Sequence, residues 1–274
     1  MIDPIALIEL TNLWAAGRLE ALAAHPNLGM KPEWIGELAR NKAWRVRESL
    51  AENPALSANT EATSRISKDR SKNVRAALAK NPALGNFPEI IETLSADQNP
   101  YTRYYLAANP AITNLPEALE KLSTDEDPEV CEALATNPSL ANHPDIITKL
   151  SEDQDHYVRF ALARNPTIAN HPEILEKLAQ DQDIYVREVI AENPAIANFP
   201  EILKKLSADK SHYVRILLAL NSALATFPQI IELLANDENP YVRRNVARNP
   251  AIPTHTASPQ AWQTQPATQK APSI

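Results

Sequence analysis

The dipeptide Asn-Pro returns every 28 residues along this chain, at Asn53, Asn81, Asn109, Asn137, Asn165, Asn193 and Asn249. Two variants, His25-Pro26 and Asn221-Ser222, keep the same register. A globular domain tolerates loops of varied length, whereas a one-dimensional stack needs each unit to present the same interface to its neighbour. A constant period held without insertion or deletion is therefore the mark of a stacked repeat array. The expected fold class is all-α, an α-solenoid (superhelix) of 28-residue two-helix repeats.

Composition agrees. Only 4 residues are Gly while 23 are Pro, a balance suited to helices punctuated by fixed turns. Cys131 is the only cysteine, so no intrachain disulfide can form and nothing points to an oxidising compartment. The first residues, MIDPIALIELTNLW, carry no basic start, and no stretch approaches the length of a membrane span. These features set a cytoplasmic expectation, with no membrane association. A net charge of -7 works against non-specific binding to nucleic acid or anionic lipid.

Residues 165–192, NPTIANHPEILEKLAQDQDIYVREVIAE, serve as the type unit. Asn170, Pro172 and Glu173 are expected to open the first helix, with Asn170 as N-cap and Glu173 closing a capping box. Ile174, Leu175 and Leu178 supply its apolar stripe. Asp183 is expected to cap the second helix, and the equivalent position holds Ser71, Asn99, Asp127, Asp155, Ser211 and Asn239. Pro194 ends that helix, because the residue before a proline is pushed out of the helical region. Three parts follow: residues 1–24 as a truncated N-terminal capping repeat, 25–252 as an eight-repeat α-solenoid, and 253–274 as a disordered Pro/Thr/Gln/Ala-rich tail.

Segments such as LEKLAQDQDIYVREVIAENPAI resemble the leucine-rich repeat variant family, with its Leu-x-x-Leu-Ala-x-Asp…Val-Arg…Ala-x-Asn-Pro pattern, and look like HEAT-type repeats. The unit here is longer by an Ala-Asn-Phe/His-Pro step. The resemblance implies an armadillo-like helical solenoid that binds macromolecules; it implies no activity.

Six copies carry an Asp and an Arg six residues apart: Asp69/Arg75, Asp97/Arg103, Asp153/Arg159, Asp181/Arg187, Asp209/Arg215 and Asp237/Arg243. Equal numbers of the two favour a structural ladder, each Arg bonding an Asp in its own or the adjacent unit, over a phosphate-binding stripe. In repeat four Cys131 replaces the Arg, so Asp125 is expected to lack its partner. With Glu126, Glu129 and Glu132, Asp125 then forms an acidic patch. Acidic neighbours also argue against Cys131 as a nucleophile. His143 and His171 occupy equivalent places, but stacked equivalents lie roughly 9 Å apart, too far for one zinc. No metal, cofactor or catalytic residue is assigned.

On the second helix the positions of Val186, Arg187, Ile190 and Ala191 barely change between copies, whereas those of Tyr185, Glu188 and Glu192 vary. Tyr101, Tyr157, Tyr185, Tyr213 and Tyr241 fall on this variable side, joined by Tyr104, Phe160 and Ile216. These residues are the candidate groove, with Tyr and Phe as anchors for a protein or peptide partner. The alternative is that each Tyr packs its ring on the next repeat and shows only its hydroxyl. The expected function is a non-enzymatic protein-interaction scaffold using the concave groove. The competing readings are a DNA-glycosylase-like HEAT solenoid, which needs unpaired basic residues on the groove, and a lyase-type or assembly subunit. The sequence does not indicate an oligomeric state.

Overall fold

A computed structural model describes residues 4–113 and 115–252. The predicted tail, with Trp262, lies outside the described residues. Among the described residues there are eighteen α-helices and no strand. The chain divides into two compact units, Met1–Thr167 and Ile168–Ile274.

Each full repeat holds a first helix of seven or eight residues and a second of eight or nine. The repeat also contains a 3-10 helix that the sequence reading did not anticipate. In repeat three (81–108) the order is a 3-10 helix Pro82–Asn86, a first helix Pro88–Ser95 and a second helix Pro100–Ala107. The Ala-Asn-Phe/His-Pro step is thus the end of the 3-10 helix and the turn into the first helix. Asn170 is correspondingly not an N-cap: it closes a 3-10 helix, and His171, which makes no side-chain cap bond, precedes Pro172. The pattern reverses where the sequence lacks the proline, since Asn59 does cap Thr60–Ser67 by accepting from Ala62 N. Second helices follow the expected capping: Asn99, Asp127, Asp155, Asp183, Ser211 and Asn239 each accept from the N–H two residues on. Ser71 makes no such bond.

Helices this short are marginal alone, and buried rows of Leu and Ile hold them. In the first unit Ile91, Leu94, Leu106, Ile112, Leu119, Leu122 and Leu134 are fully buried, each worth about 1.5–3 kcal/mol relative to exposure. Before repeat one, Pro4–Ala15 and Leu19–Ala23 are linked through Gly17, whose φ of 67° favours glycine. Leu22 and Ala23 are fully buried, and Leu19–Ala23 packs on the second helix of repeat one, Trp44–Glu52.

Two polar joints tie successive repeats. The first uses the periodic asparagine. Asn109 donates through Nδ2 to Ala79 O (2.7 Å) and Asn81 O (3.0 Å), and its Oδ1 accepts from Ala111 N (2.9 Å). Asn53, Asn81, Asn137 and Asn165 repeat this arrangement in the first unit, and Asn221 and Asn249 make the same type of bonds. A buried amide with donors and acceptor all used is the low-cost way to place a polar group in a core. His25 keeps the acceptor half only, its Nδ1 accepting from Asn27 N at 3.2 Å. Asn221 keeps the full joint without a following proline, so the amide carries the joint and the proline shapes the turn.

The second joint is the Arg–Asp ladder, and its partners differ from the six-residue pairs. Arg75 reaches forward to Asp97 with Nε and Nη2 at 2.5 and 2.9 Å, and its Nη1 donates to the main-chain O of Asp69 at 2.7 Å. Arg47–Asp69, Arg103–Asp125, Arg187–Asp209 and Arg215–Asp237 repeat the fork. Each Arg thus takes the carboxylate of the Asp ahead and the carbonyl six residues behind, which belongs to an Asp for Arg75, Arg103, Arg187 and Arg215 and to Asn41 for Arg47. The bidentate pairing uses guanidinium geometry that lysine could not supply. Burial pushes the Asp97 carboxyl up, but the Arg75 guanidinium and the Asn99 N–H outweigh it and hold it below the usual range; Asp69 and Asp237 behave alike.

On the first helices an exposed glutamate faces a lysine one repeat on, as in Lys149–Glu120, Lys121–Glu92 and Lys205–Glu176. Such pairs contribute little at the surface.

Candidate functional site

The buried joints occupy one side of each second helix, and helical periodicity turns the remaining positions outward. Tyr101, Tyr157, Tyr185, Tyr213 and Tyr241 are 57–61 % exposed. Their rings are not covered by the next repeat, which removes the packing alternative for these residues. His156 and His212 lie beside the rings of Tyr157 and Tyr213, at 4.1 and 4.2 Å between centroids. Tyr104 and Phe160 in the first unit, and Ile216 in the second, are half-buried. Phe160 lies under the Arg164 guanidinium, 5.7 Å from the ring centre.

In the first unit, repeat three departs from its sisters. Its second helix carries Tyr101, Tyr104 and Tyr105, and Tyr105 was not singled out by the sequence reading. The equivalents of Tyr105 in the flanking repeats are Ala77 and Ala133. A large ring between two alanines leaves space on both sides, and a hollow opens on each. One, of about 420 Å³, is lined by Tyr101, Tyr104, Tyr105, Glu129, Glu132 and the small Ala133 beside Thr136. The other, of about 280 Å³, lies toward Glu48, Glu52, Lys72 and Lys80 and shares Tyr101 and Tyr105. Tyr104 and Tyr105 meet edge to face at 5.2 Å, and Lys80 Nζ sits 4.0 Å from the Tyr105 ring centre.

The acidic patch is reorganised. Asp125 is not the unpaired acid: it accepts the Arg103 fork at 2.6 and 2.8 Å and its side chain is 6 % exposed. The position without a fork is Asp153, because Cys131 stands where the preceding Arg would be. Asp153 accepts from Asp155 N, and its main-chain O accepts from Arg159. Glu126 is exposed and 3.7 Å from Arg103 Nη2, away from the hollow. Glu129 and Glu132 do line the hollow, at the positions that hold Tyr101 and Tyr104 one repeat earlier. Burial, then Asp155, then Glu129 raise the Glu132 carboxyl above its ordinary value.

Cys131 is buried, and its Sγ faces the carbonyls of Leu122 (3.5 Å) and Asp125 (3.7 Å). Burial, followed by Asp153, pushes its thiol up to about 11, so it is protonated and inert at neutral pH. His143 Nε2 lies 2.7 Å from Thr113 O, and His171 Nδ1 lies 3.6 Å from Glu173. Both histidines are half-buried, as are Phe87, Leu115, Phe199 and Phe227 at the equivalent place, in keeping with a space-filling role. Among the described residues no group of three or more His, Cys, Asp or Glu side chains could hold a metal ion, and no helix is long and apolar enough to cross a membrane.

No protein-family profile matches the sequence, and no curated protein is significantly similar to it. Among solved structures, a leucine-rich repeat variant with a novel repetitive structural motif is similar at a TM-score of 0.56, with 20% identity over 84% of each chain. The X-ray structure of the E. coli protein YibA aligns over 76% of this chain and 96% of that one at 15% identity, but its TM-score of 0.39 is too low to establish a common fold. The likeness to the leucine-rich repeat variant, together with the repeating helix pairs, identifies the fold as an all-α solenoid.

Proposed function

We propose that this chain is a non-enzymatic interaction module that binds a protein or peptide along the exposed face of its second helices. The observation that carries the reading is the tyrosine-lined hollow in repeats three and four, where exposed Tyr101 and half-buried Tyr104 and Tyr105 stand beside Glu129 and Glu132. Tyrosines offer large contact area at low conformational cost and are enriched in binding hot spots. In each unit the second helices also pack on one another more extensively than the first helices do, as on the inner side of a curved stack. The ladder arginines are spent on carboxylates and carbonyls, so they leave no phosphate-binding stripe, which disfavours the nucleic-acid reading.

The test is selection of random displayed peptides on the full chain, followed by binding to a variant carrying Tyr104→Ser, Phe160→Ser and Ile216→Ser. These positions hold Glu, Ala or Arg in sister repeats, so the variant should keep its melting temperature. Selected peptides should weaken by about tenfold or more, as hot-spot truncations do. Equal binding to both forms would move the site elsewhere. Tight, salt-sensitive binding of duplex DNA would favour the nucleic-acid alternative.

A further inference from the structure

The larger hollow has a composition more specific than a generic docking face. Its far wall is the second helix of repeat four, Pro128–Ala135, where the tyrosine triplet of repeat three is replaced position by position: Tyr101 by Glu129, Tyr104 by Glu132, Tyr105 by Ala133. Rings on one wall therefore face two carboxylates on the other, across about 420 Å³. Neither Glu129 nor Glu132 has an ion-pair partner among the described residues, in contrast to Asp125, whose carboxylate is filled by Arg103. Elsewhere on the same face the molecule supplies its own cations. Lys80 covers the Tyr105 ring on the side of the smaller hollow, and Arg164 covers Phe160. No lysine, arginine or histidine lines the larger hollow.

We propose that this hollow is a receptor for one arginine side chain of a basic peptide, with the guanidinium between the tyrosine rings and the Glu129 and Glu132 carboxylates. This assignment rests on the peptide-binding reading above and names the chemistry of its partner. Three features support a guanidinium. It is planar and stacks on aromatic faces, it can donate to two carboxylates at once, and it is weakly hydrated, so its desolvation costs less than that of an ammonium. The volume is ample for a side chain and too small for a folded element. The charge state agrees. Three glutamates at this helix position, Glu48, Glu132 and Glu188, have carboxyls raised mainly by burial. For Glu48 nearby Lys80 and Arg45, and for Glu188 its neighbour Arg187, oppose the rise, whereas only further carboxylates, Asp155 and Glu129, act on Glu132. Glu132 is the one that lacks a cation, and the proposed ligand provides it. The stack's own Arg–Asp forks lie deeper, on the buried side of the helices, and are not part of this hollow.

The experiment uses the full chain, immobilised, and two pools of end-blocked nonapeptides with randomised flanks. One pool has a fixed central arginine, the other the neutral isostere citrulline, and retention is read by mass spectrometry. The arginine pool should be retained at least about tenfold better. That preference should vanish with Glu129→Gln plus Glu132→Gln, a pair that removes charge but keeps shape, and should fall with Tyr104→Ser. Equal retention of the two pools, or a preference that survives the glutamine pair, overturns the proposal. Full competition by free arginine amide at concentrations where flanked peptides give no added affinity overturns the assignment to a peptide. If peptides from the displayed selection need the tyrosines yet ignore both arginine and the glutamates, the arginine assignment fails and the peptide-binding reading stands. If they need neither, both fail.

Discussion

Replacing Asn109 by alanine is expected to be among the costliest single changes to the stack. The side chain is 4 % exposed and makes three hydrogen bonds, two donated to Ala79 O and Asn81 O and one accepted from Ala111 N. Alanine takes these partners from Ala79 O and Ala111 N, whereas Asn81 O keeps the bond it accepts from Leu84 N. A net hydrogen bond is worth about 0.5–1.5 kcal/mol, and a buried group left unpaired costs about 1–3 kcal/mol. With partial relaxation the change should cost about 2–5 kcal/mol, a large share of the roughly 5–15 kcal/mol by which domains are stable. Asn109→Asp separates hydrogen bonding from packing. Its shape is unchanged and it can still accept from Ala111 N, but it sets a carboxylate against two carbonyl oxygens. It should therefore be worse than alanine at pH 7 and recover partly in acid, where a protonated Asp regains a donor. Equilibrium urea unfolding followed by helical circular dichroism reads both. Because stacked repeats are coupled through their interfaces, the variants should also lose cooperativity where repeat four joins the repeats before it. A cost under about 0.5 kcal/mol for alanine, or an aspartate variant no worse than the alanine one at neutral pH, would refute the joint as the main tie between repeats.

The ladder gap should be repairable: Cys131→Arg places a fork opposite Asp153 and a donor toward Asp125 O, and should raise stability by about 1–3 kcal/mol in the same urea assay. A native circular dichroism spectrum with lower stability would show that the slot is closed. Asp69, Asp97 and Asp237 have carboxyls held below their unfolded value, so their contribution is present above about pH 4 and lost as pH falls through the folded pKa. Acid titration of the melting temperature should show that loss, and Asp97→Asn should flatten it. Glu132 has the opposite sign, because its raised carboxyl makes the ionised form costly. Glu132→Gln should therefore melt higher at pH 7, and the gain should shrink as the solution is acidified; a lower melting point would contradict an unpaired carboxylate there.

The period made the stack, its helices and the variable face legible, because a repeat displays its own tolerated substitutions. The ladder partners were not legible for an arithmetical reason. An Asp six residues before an Arg is necessarily followed by another Asp 22 residues after it when the period is 28, and sequence cannot choose between them. Choosing the nearer one misplaced the gap at Asp125, whereas the forward fork leaves it at Asp153. The 3-10 helix escaped because five residues such as Pro-Ala-Leu-Gly-Asn at 82–86 are too few to show a period. Asn109 and its equivalents stood out only as markers. Their near-invariance beside a variable proline position, Ser222, was the available sign that the amide had a task. Tyr105 was missed because its sisters are mostly small or aliphatic, and its effect depends on the alanines one repeat away on both sides.

The two joints point in opposite directions: the asparagine amide reaches back to the repeat before it, and the arginine fork reaches forward to the repeat after it. A repeat that keeps all three residues thus has a socket and a plug of each kind, and two such repeats can be spliced in frame. Removing residues 109–136 would take out Asp125 and Cys131 together. Arg103 would then meet Asp153 in the register it now has with Asp125, and Asn137 would meet Ala79 and Asn81 in place of Asn109. The shortened chain would have no gap at this point of the ladder and would lose Glu129 and Glu132. The irregular repeat is, in this sense, a removable cassette that lowers the regularity of the stack and carries one wall of the candidate site.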